Sequence, residues 1–191
     1  MTTLLTKRRF SVKEFIKMVD AGILTKYDRV ELVDGEFIEM APIGGYHAGC
    51  VDELTHTFVR TAPEGVRVRV QGPLQVDSLT EFEPDLAVLR PRHDNYTTSR
   101  PTPPDILLVI EVSDSTIAYD RNVKIPKYAQ AGVPEVWQVN LQHDLVDSYS
   151  DPDTDTGRYY NVRRFLRGQE ITPTLLPNAT LNVSDILLSQ V

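Results

Sequence analysis

The chain has 191 residues, of which 41% are hydrophobic and 25% are charged, which is typical of one globular domain rather than two. Its formal net charge of -7 argues against a strongly basic protein that binds nucleic acid without specificity, although an acidic metal site remains compatible with it. No run approaches the ~20 consecutive apolar residues of a membrane span, and no signal-peptide core is evident. We therefore expect no membrane association and a cytoplasmic location.

The N-terminal part is predicted to contain a helix and a β-hairpin. Ser11 opens a Ser-x-x-Glu capping box, and Gly22 suits the end of the helix that follows. The apolar residues at helical spacing on its expected buried face are Val12, Phe15, Ile16 and Val19. Two alternating runs flank Asp34-Gly35, which is the strongest short signal for a hairpin over residues 30–40.

A second helix is predicted over residues 47–62, after the loop APIGGY. Its expected buried stripe consists of Val51, Leu54, Phe58 and Val59. The single cysteine of the chain, Cys50, lies in this helix and is expected to be a small buried residue. With one cysteine, no intrachain disulfide can form.

The middle of the chain predicts strands and one crossover helix. Short strands are expected over residues 66–70, 74–76 and 85–89, followed by a surface loop over 90–104. The continuous apolar run ILLVIEV at 106–112 is typical of a central strand buried on both faces. A helix is predicted over 117–131, with Pro126 either kinking it or marking its effective start, and a strand over 133–139.

These elements favour an α/β fold with a mixed central sheet between helices. The order strand–helix–strand over 105–139 predicts a parallel crossover. Residues 144–191 predict a hairpin across the polar loop DPDTDTG and a short helix near Ser184. We expect one domain over residues 10–188, with residues 1–9 as a flexible tail.

Two carboxylates stand at strand positions where they could share a metal ion. Asp85 opens an apolar strand after Pro84, and Glu111 lies near the end of the central apolar strand. A carboxylate inside such a run is costly to bury unless it is paired or bound to a metal. If the two strands are neighbours, both side chains can converge at one sheet end and suit Mg²⁺ or Mn²⁺. Alternatively, Asp85 is a strand-entry residue and Glu111 turns to solvent or pairs with an arginine.

A cation near the attacking water would complete a hydrolytic site. Ser113, rather than a lysine, follows two residues after Glu111, so Lys124 on the predicted helix is the nearest substitute. Lys127 is its rival, and both lysines could instead belong to a solvated helix face. No zinc-ligand spacing, P-loop, dinucleotide fingerprint or nucleophile elbow is found in the sequence.

The block IEVSDSTIAYDRNVKIPKYAQAGVPEVWQV, with ELVDGE upstream, His47 after a glycine loop and PDLAV between, resembles the Uma-two family. That family consists of endonucleases of the restriction-endonuclease-like superfamily, and the resemblance covers roughly residues 10–188. It implies a PD-(D/E)XK core with the element order αβββαβ, and an additional N-terminal helix and hairpins. The Pro-Asp of that motif falls on Pro84-Asp85, and its second acid falls on Glu111.

The resemblance also implies roles for individual residues. Asp85, Glu111 and Lys124 would be catalytic, and Asp85, Glu111 and the Val112 backbone carbonyl would bind Mg²⁺ or Mn²⁺. Asp120 and Arg121 match the family's run before the lysine. Further residues that could line the site are Glu31, His47 and Ser113. Glu31 could equally be a hairpin residue facing solvent, and His47 a capping or packing residue.

We therefore expect a metal-dependent endonuclease that acts on DNA. A homodimer is also expected, because double-strand cutting favours two-fold symmetric pairs. One alternative is a catalytically inactive nuclease fold that binds nucleic acid or protein, which Ser113 and the acidic charge favour. A weaker alternative is a structural, self-associating protein. Arginines that could contact phosphates, or simply aid solubility, are Arg67, Arg69, Arg90, Arg92 and Arg100. An aromatic–basic cluster that could pack, dimerise or bind nucleic acid comprises Tyr159, Tyr160, Arg163, Arg164 and Arg167.

Overall fold

The computed structural model describes residues 6–25 and 27–187. Helix α1 (Val12–Asp20) begins with the predicted capping box, in which Glu14 N donates to Ser11 Oγ (3.2 Å) and Ser11 N donates to Glu14 Oε2 (2.9 Å). After α1 ends, Gly22 adopts φ 70°, a left-handed conformation that costs glycine little. Both predicted ends of this helix are confirmed.

Replacing Ser11 by alanine is expected to destabilise the protein by about 1 kcal/mol, because the Glu14 amide loses its acceptor at the helix start. The melting temperature should fall by roughly 2–4 °C in a chain of this size. Ser78→Ala is the matched control, since its exposed hydroxyl makes no hydrogen bond within residues 6–25 and 27–187. Equal melting temperatures for Ser11→Ala and the unmodified protein would contradict the capping role.

The predicted hairpin is confirmed as strands β1 (Val30–Val33) and β2 (Glu36–Glu39), paired antiparallel. Asp34 and Gly35 have φ values of 50° and 79°. A type I′ turn requires positive φ at both central residues, which is why Asp-Gly is favoured there.

Helix α2 (Gly45–Thr61) begins two residues before the predicted start at His47. Its buried residues are Cys50, Val51, Leu54 and Phe58. Val59 is 64% exposed, so its predicted burial is wrong. One residue past Phe58 turns the side chain by about 100° around the helix, which carries Val59 off the buried stripe.

The eight strands that follow belong to two sheets. They are β3 (Arg67–Val70), β4 (Leu74–Gln75), β5 (Glu81–Phe82), β6 (Leu86–Leu89), β7 (Ile106–Ser113), β8 (Glu135–Asn140), β9 (Leu145–Asp153) and β10 (Arg158–Leu166). Strands β4 and β5 join the first hairpin in a small sheet of order β2-β1-β5-β4. Strand β5 was not predicted, because two residues are too few for a readable alternation.

The large sheet has the order β10-β9-β8-β7-β6-β3. Strands β7 and β8 are parallel, and every other neighbouring pair in it is antiparallel. All eight residues of β7 are buried. The predicted central strand, the parallel crossover and the hairpin of β9 and β10 are therefore confirmed.

The crossover between β7 and β8 is helical but not uniform. It consists of a short helix α3 (Ile117–Tyr119), a π-helical turn (Asp120–Lys124) and helix α4 (Ile125–Gln130). Pro126 stands in the first turn of α4, where its missing amide hydrogen is not needed. The wider π-helical turn precedes Pro126, and the regular helix α4 begins at the proline. Of the two predicted alternatives, Pro126 therefore marks an effective helix start.

Helices cover both faces of the large sheet. Helix α2 packs on one face together with the C-terminal elements β11 (Glu170–Ile171), β12 (Leu181–Asn182) and α5 (Val183–Ile186). Helix α4 and the small sheet pack on the other face. The mixed central sheet flanked by helices is thus confirmed.

The described residues do not include either end of the chain. Residues 1–5 of the predicted tail and residue 188 lie outside the described residues. Lys7 pairs with Glu36 at 3.3 Å, and Arg8 pairs with Glu14 at 2.6 Å, so the rest of the tail lies against the domain. No helix among the described residues is long and apolar enough to cross a membrane.

Candidate active site

A cavity of about 350 Å³ opens at the end of the large sheet where β6 begins and β7 ends. Its walls come from the β1–β2 hairpin, the loop over 40–44, the first turn of α2 and the crossover helix. The cavity therefore lies where three segments distant in the sequence meet, namely 29–47, 83–85 and 111–124.

Asp85 and Glu111 both line this cavity. Strands β6 and β7 are antiparallel with Leu86 opposite Ile110, so the residue before the first strand and the residue after Ile110 come together. The Val112 amide donates to Asp85 Oδ2 at 2.8 Å, and His47 Nε2 lies 3.1 Å from the same oxygen. Both acids thus line one cavity at the same end of the sheet, with His47 beside Asp85.

Lys124 reaches the same place from the π turn. Its Nζ lies 2.9 Å from Glu31 Oε1 and 3.2 Å from Glu111 Oε2. Tyr128 OH donates to the other Glu111 oxygen at 2.7 Å. Lys124 is 5% exposed, so it does not lie on a solvated helix face. Glu31 is 3% exposed, so it is not a hairpin residue that faces solvent.

Negative charge dominates the cavity. Among the described residues, its carboxylates are those of Glu31, Glu39, Glu83, Asp85, Glu111, Asp114 and Asp120, whereas its fixed cations are Arg29 and Lys124. Burial raises the pKa of Glu111 well above its ordinary value, although Lys124 opposes this rise. Burial also works against the charge of Lys124, but Glu111 and Glu31 outweigh it and raise the pKa of the ammonium. The lysine therefore stays protonated between two carboxylates, and the cluster holds an excess of negative charge.

Ser113 does not line the cavity but stands behind it, fully buried. Its Oγ donates to Asp120 Oδ2 at 2.7 Å and accepts from Gln138 Nε2 at 3.1 Å. Thr116 Oγ1 donates to the same Asp120 oxygen at 2.7 Å. Ser113 thus orients Asp120, which does face the cavity, while Arg121 points elsewhere and pairs with Asp147 at 3.0 Å.

Residues of the site that were not singled out from the sequence include Glu83, Asp114, Tyr119 and Tyr128. Tyr128 follows Lys124 by four residues, which places both on one helix face, so the spacing could have revealed it. Glu83 precedes Asp85 by two residues, and residues two apart in an extended segment lie on the same face, so this spacing could have revealed Glu83. Nothing local distinguishes Asp114 or Tyr119.

The side chains that line the cavity are of the chemical type that binds a hard divalent cation. Within residues 6–25 and 27–187, no three His, Cys, Asp or Glu side chains are already grouped as a metal site. The donors that face the cavity are nevertheless carboxylate oxygens, which Mg²⁺ and Mn²⁺ prefer. A bound cation would also offset the excess negative charge around Glu111.

Comparisons with known proteins identify the fold and the family of the chain. A solved structure from Anabaena variabilis ATCC 29413, described as a putative nuclease belonging to DUF820, matches with a TM-score of 0.70 and 15% identity. The match covers 93% of this chain and 97% of that one, which establishes a shared fold. No curated protein matches the chain. The model of the Uma2 family, described as "Putative restriction endonuclease", matches residues 12–184. The chain, with its acidic cavity at the sheet end and its buried lysine, belongs to the Uma2 family of restriction-endonuclease-like proteins.

Proposed function

We propose that this protein is a metal-dependent endonuclease that hydrolyses phosphodiester bonds of DNA. The observation that carries the proposal is the meeting of Asp85, Glu111 and Lys124 in one cavity. Membership of a family described as restriction endonucleases supports nuclease chemistry in general. The choice of DNA follows from that family description, and the need for a metal rests on the charge of the site.

The charge of the cavity argues for the metal. A phosphodiester is an anion, and seven carboxylates face it against two fixed cations. Asp85, Glu111 and the Val112 carbonyl would hold Mg²⁺ or Mn²⁺, which supplies charge for the phosphoryl oxygens and a more acidic water when bound. Without a cation, repulsion by the carboxylates would keep the substrate out.

Lys124 is proposed to position the attacking water. An ammonium group has three donors, and Glu31 and Glu111 accept two of them. The third donor can therefore hold a water molecule in the cavity. Because its pKa is raised, Lys124 remains charged, so it orients the water and stabilises negative charge rather than accepting a proton.

A second function remains in competition, namely a nuclease fold that binds nucleic acid or protein without cutting. The lack of a grouped metal site among the described residues favours it, as does the serine at position 113, where the wider superfamily usually has lysine. The two functions differ in whether the carboxylates bind a divalent cation.

Cleavage of supercoiled plasmid tests the proposal. The purified protein is incubated with plasmid in Mg²⁺, in Mn²⁺ and in EDTA, and the products are separated on a gel. Nicked and linear DNA are expected only with a metal. Linear product at low conversion would also support the predicted dimer, since two subunits can cut both strands. Intact plasmid in both metals would reject nuclease activity on DNA.

Metal binding should also raise thermal stability without any substrate. A cation at 100 times its dissociation constant stabilises the folded state by about 2.7 kcal/mol. In a chain of this size, that corresponds to a melting temperature higher by roughly 5–10 °C. Potassium chloride at equal ionic strength is the control. The metal concentration is on the order of 10 mM. An unchanged melting temperature in Mg²⁺ and in Mn²⁺ would favour the inactive binding module.

A further inference from the structure

Arg69 on β3, at the edge of the large sheet, has no carboxylate partner among the described residues. It is half-buried, and its hydrogen bond runs from Nη1 to the Pro73 carbonyl at 3.3 Å. Two neighbouring arginines do have partners: Arg92 pairs with Asp94 and Arg100 pairs with Glu81. A half-buried guanidinium without an anion is unusual, because arginine presents five donors.

Two of the three arginines lie over one aromatic ring, and Arg100 lies close enough to Arg69 for their like charges to repel. The Arg92 guanidinium lies 4.1 Å from the centre of the Tyr96 ring, and that of Arg69 lies 5.7 Å from it. Burial lowers the pKa of Arg69, and the like charges of Arg100 and Arg92 lower it further. Three guanidinium groups thus face two carboxylates, and an additional anion would relieve their repulsion.

The loop that carries Tyr96 is built to hold this ring in place. Asn95 and Tyr96 have φ values of 48° and 60°, and such left-handed residues cost of order 1–3 kcal/mol each unless their surroundings enforce them. Asp94 Oδ1 accepts from the Tyr96 amide at 3.1 Å, and Tyr96 OH donates to the Arg90 carbonyl at 2.7 Å. The arginine cluster is therefore preorganised rather than a chance meeting of flexible side chains.

This cluster is connected to the candidate active site. Gln71, two residues after Arg69, donates from its backbone to the Asp85 carbonyl at 3.1 Å and from its side chain to Asp85 Oδ1 at 3.3 Å. A second groove of about 360 Å³ shares Arg29, Glu31 and Glu83 with the active-site cavity. The groove is also lined by Arg100 and by Pro73, whose carbonyl accepts a hydrogen bond from Arg69.

We propose that Arg69 and Arg100, supported by Arg92 and Tyr96, form a phosphate-binding subsite for the backbone of a bound nucleic acid. This rests on the proposed function, since the strand is the one whose scissile phosphate occupies the cavity. Glu83 keeps the middle of the groove acidic, so the strand bridges from the cavity to the arginines without following the groove floor. Planar guanidinium forks match phosphate oxygens in pairs, which a lysine cannot reproduce.

Binding of a labelled DNA duplex, followed by fluorescence anisotropy in Ca²⁺, tests the subsite by a readout other than cleavage, with a hard cation present to offset the carboxylates of the cavity. Arg69→Gln removes the unpaired charge and leaves no carboxylate without its partner, so the fold should survive. We expect a dissociation constant roughly threefold to tenfold higher and a salt slope smaller by about one. Arg69→Lys should keep the salt slope but lose part of the affinity.

Arg163→Gln is the matched control. Arg163 is also a strand arginine over an aromatic ring, 5.1 Å from the centre of Phe165, but it lies on β10 at the opposite edge of the sheet. Its removal should leave the dissociation constant unchanged. Equal loss in both variants would indicate general electrostatic attraction and would overturn the subsite, as would unchanged binding by a folded Arg69→Gln protein.

A titration with inorganic phosphate, observed through the Arg69 Nε–H signal in NMR spectra, separates two sources of the anion. A response to phosphate with unaltered DNA binding in Arg69→Gln would make this a free-phosphate site and overturn the nucleic-acid assignment. Wild-type protein that binds DNA through Arg69 but never cuts it would refute the proposed nuclease and leave the subsite standing.

Discussion

Replacing Asp85 by asparagine is expected to lower the rate of DNA cleavage at least ~100-fold, which corresponds to about 2.7 kcal/mol of transition-state stabilisation. Asparagine keeps the size of the side chain, and its amide oxygen can still accept from the Val112 amide, so the fold should be retained. The negative charge that a divalent cation needs is lost. Cleavage of plasmid in Mg²⁺ or Mn²⁺ measures the effect.

Glu111→Gln should lose cleavage in the same way, but its effect on stability separates a functional from a structural role. Two carboxylates, Glu31 and Glu111, face the single ammonium of Lys124. Neutralising one of them leaves a balanced buried pair and removes a buried charge, so the melting temperature should stay equal or rise. A variant that is both inactive and more stable would fit a carboxylate kept for function.

Asp52→Asn is the control for both substitutions, because Asp52 is exposed on α2 and does not line the cavity. Its cleavage rate should match that of the unmodified protein. If Asp85→Asn and Glu111→Gln cleave as fast as Asp52→Asn, these carboxylates are not catalytic, and any observed activity comes from another site or a contaminant.

Lys124→Met is expected to destabilise the protein by about 3–5 kcal/mol, because it leaves Glu31 and Glu111 buried without a cation. The melting temperature should fall by roughly 6–20 °C. Methionine fills a similar volume, so the loss reports on charge rather than on a cavity. Thermal unfolding measures the change, and cleavage should be lost as well wherever the variant is folded.

Lys127→Met provides the comparison within the same helix. Lys127 pairs with Asp34 at 2.6 Å, but Asp34 is 52% exposed, and such pairs contribute less than about 1 kcal/mol. Combining Lys124→Met with Glu31→Gln should recover part of the stability, since one of the orphaned charges is removed. Similar losses for Lys124→Met and Lys127→Met would show that the buried cluster has no special energetic role.

Local patterns determined most of the architecture. The capping box at Ser11, the Asp34-Gly35 turn and the continuous apolar run of β7 each predict an element through interactions within a few residues. The strand–helix–strand order also predicted the parallel pairing of β7 and β8, because a crossover of that length permits it. Val59 was wrongly predicted to be buried, because a short window of sequence does not define which face of a helix each residue occupies.

The sequence by itself also singled out Asp85, Glu111 and Lys124 as candidates, since carboxylates in apolar strands and a following lysine stand out from their neighbours. Only the tertiary structure decided that Glu31, from a hairpin 80 residues before Glu111, shares the lysine with it. It likewise decided that Ser113 stands behind the cavity and that Arg69 has no carboxylate partner in the described part of the chain. Burial and pairing of charge depend on segments distant in the chain, and only chain folding brings those segments together.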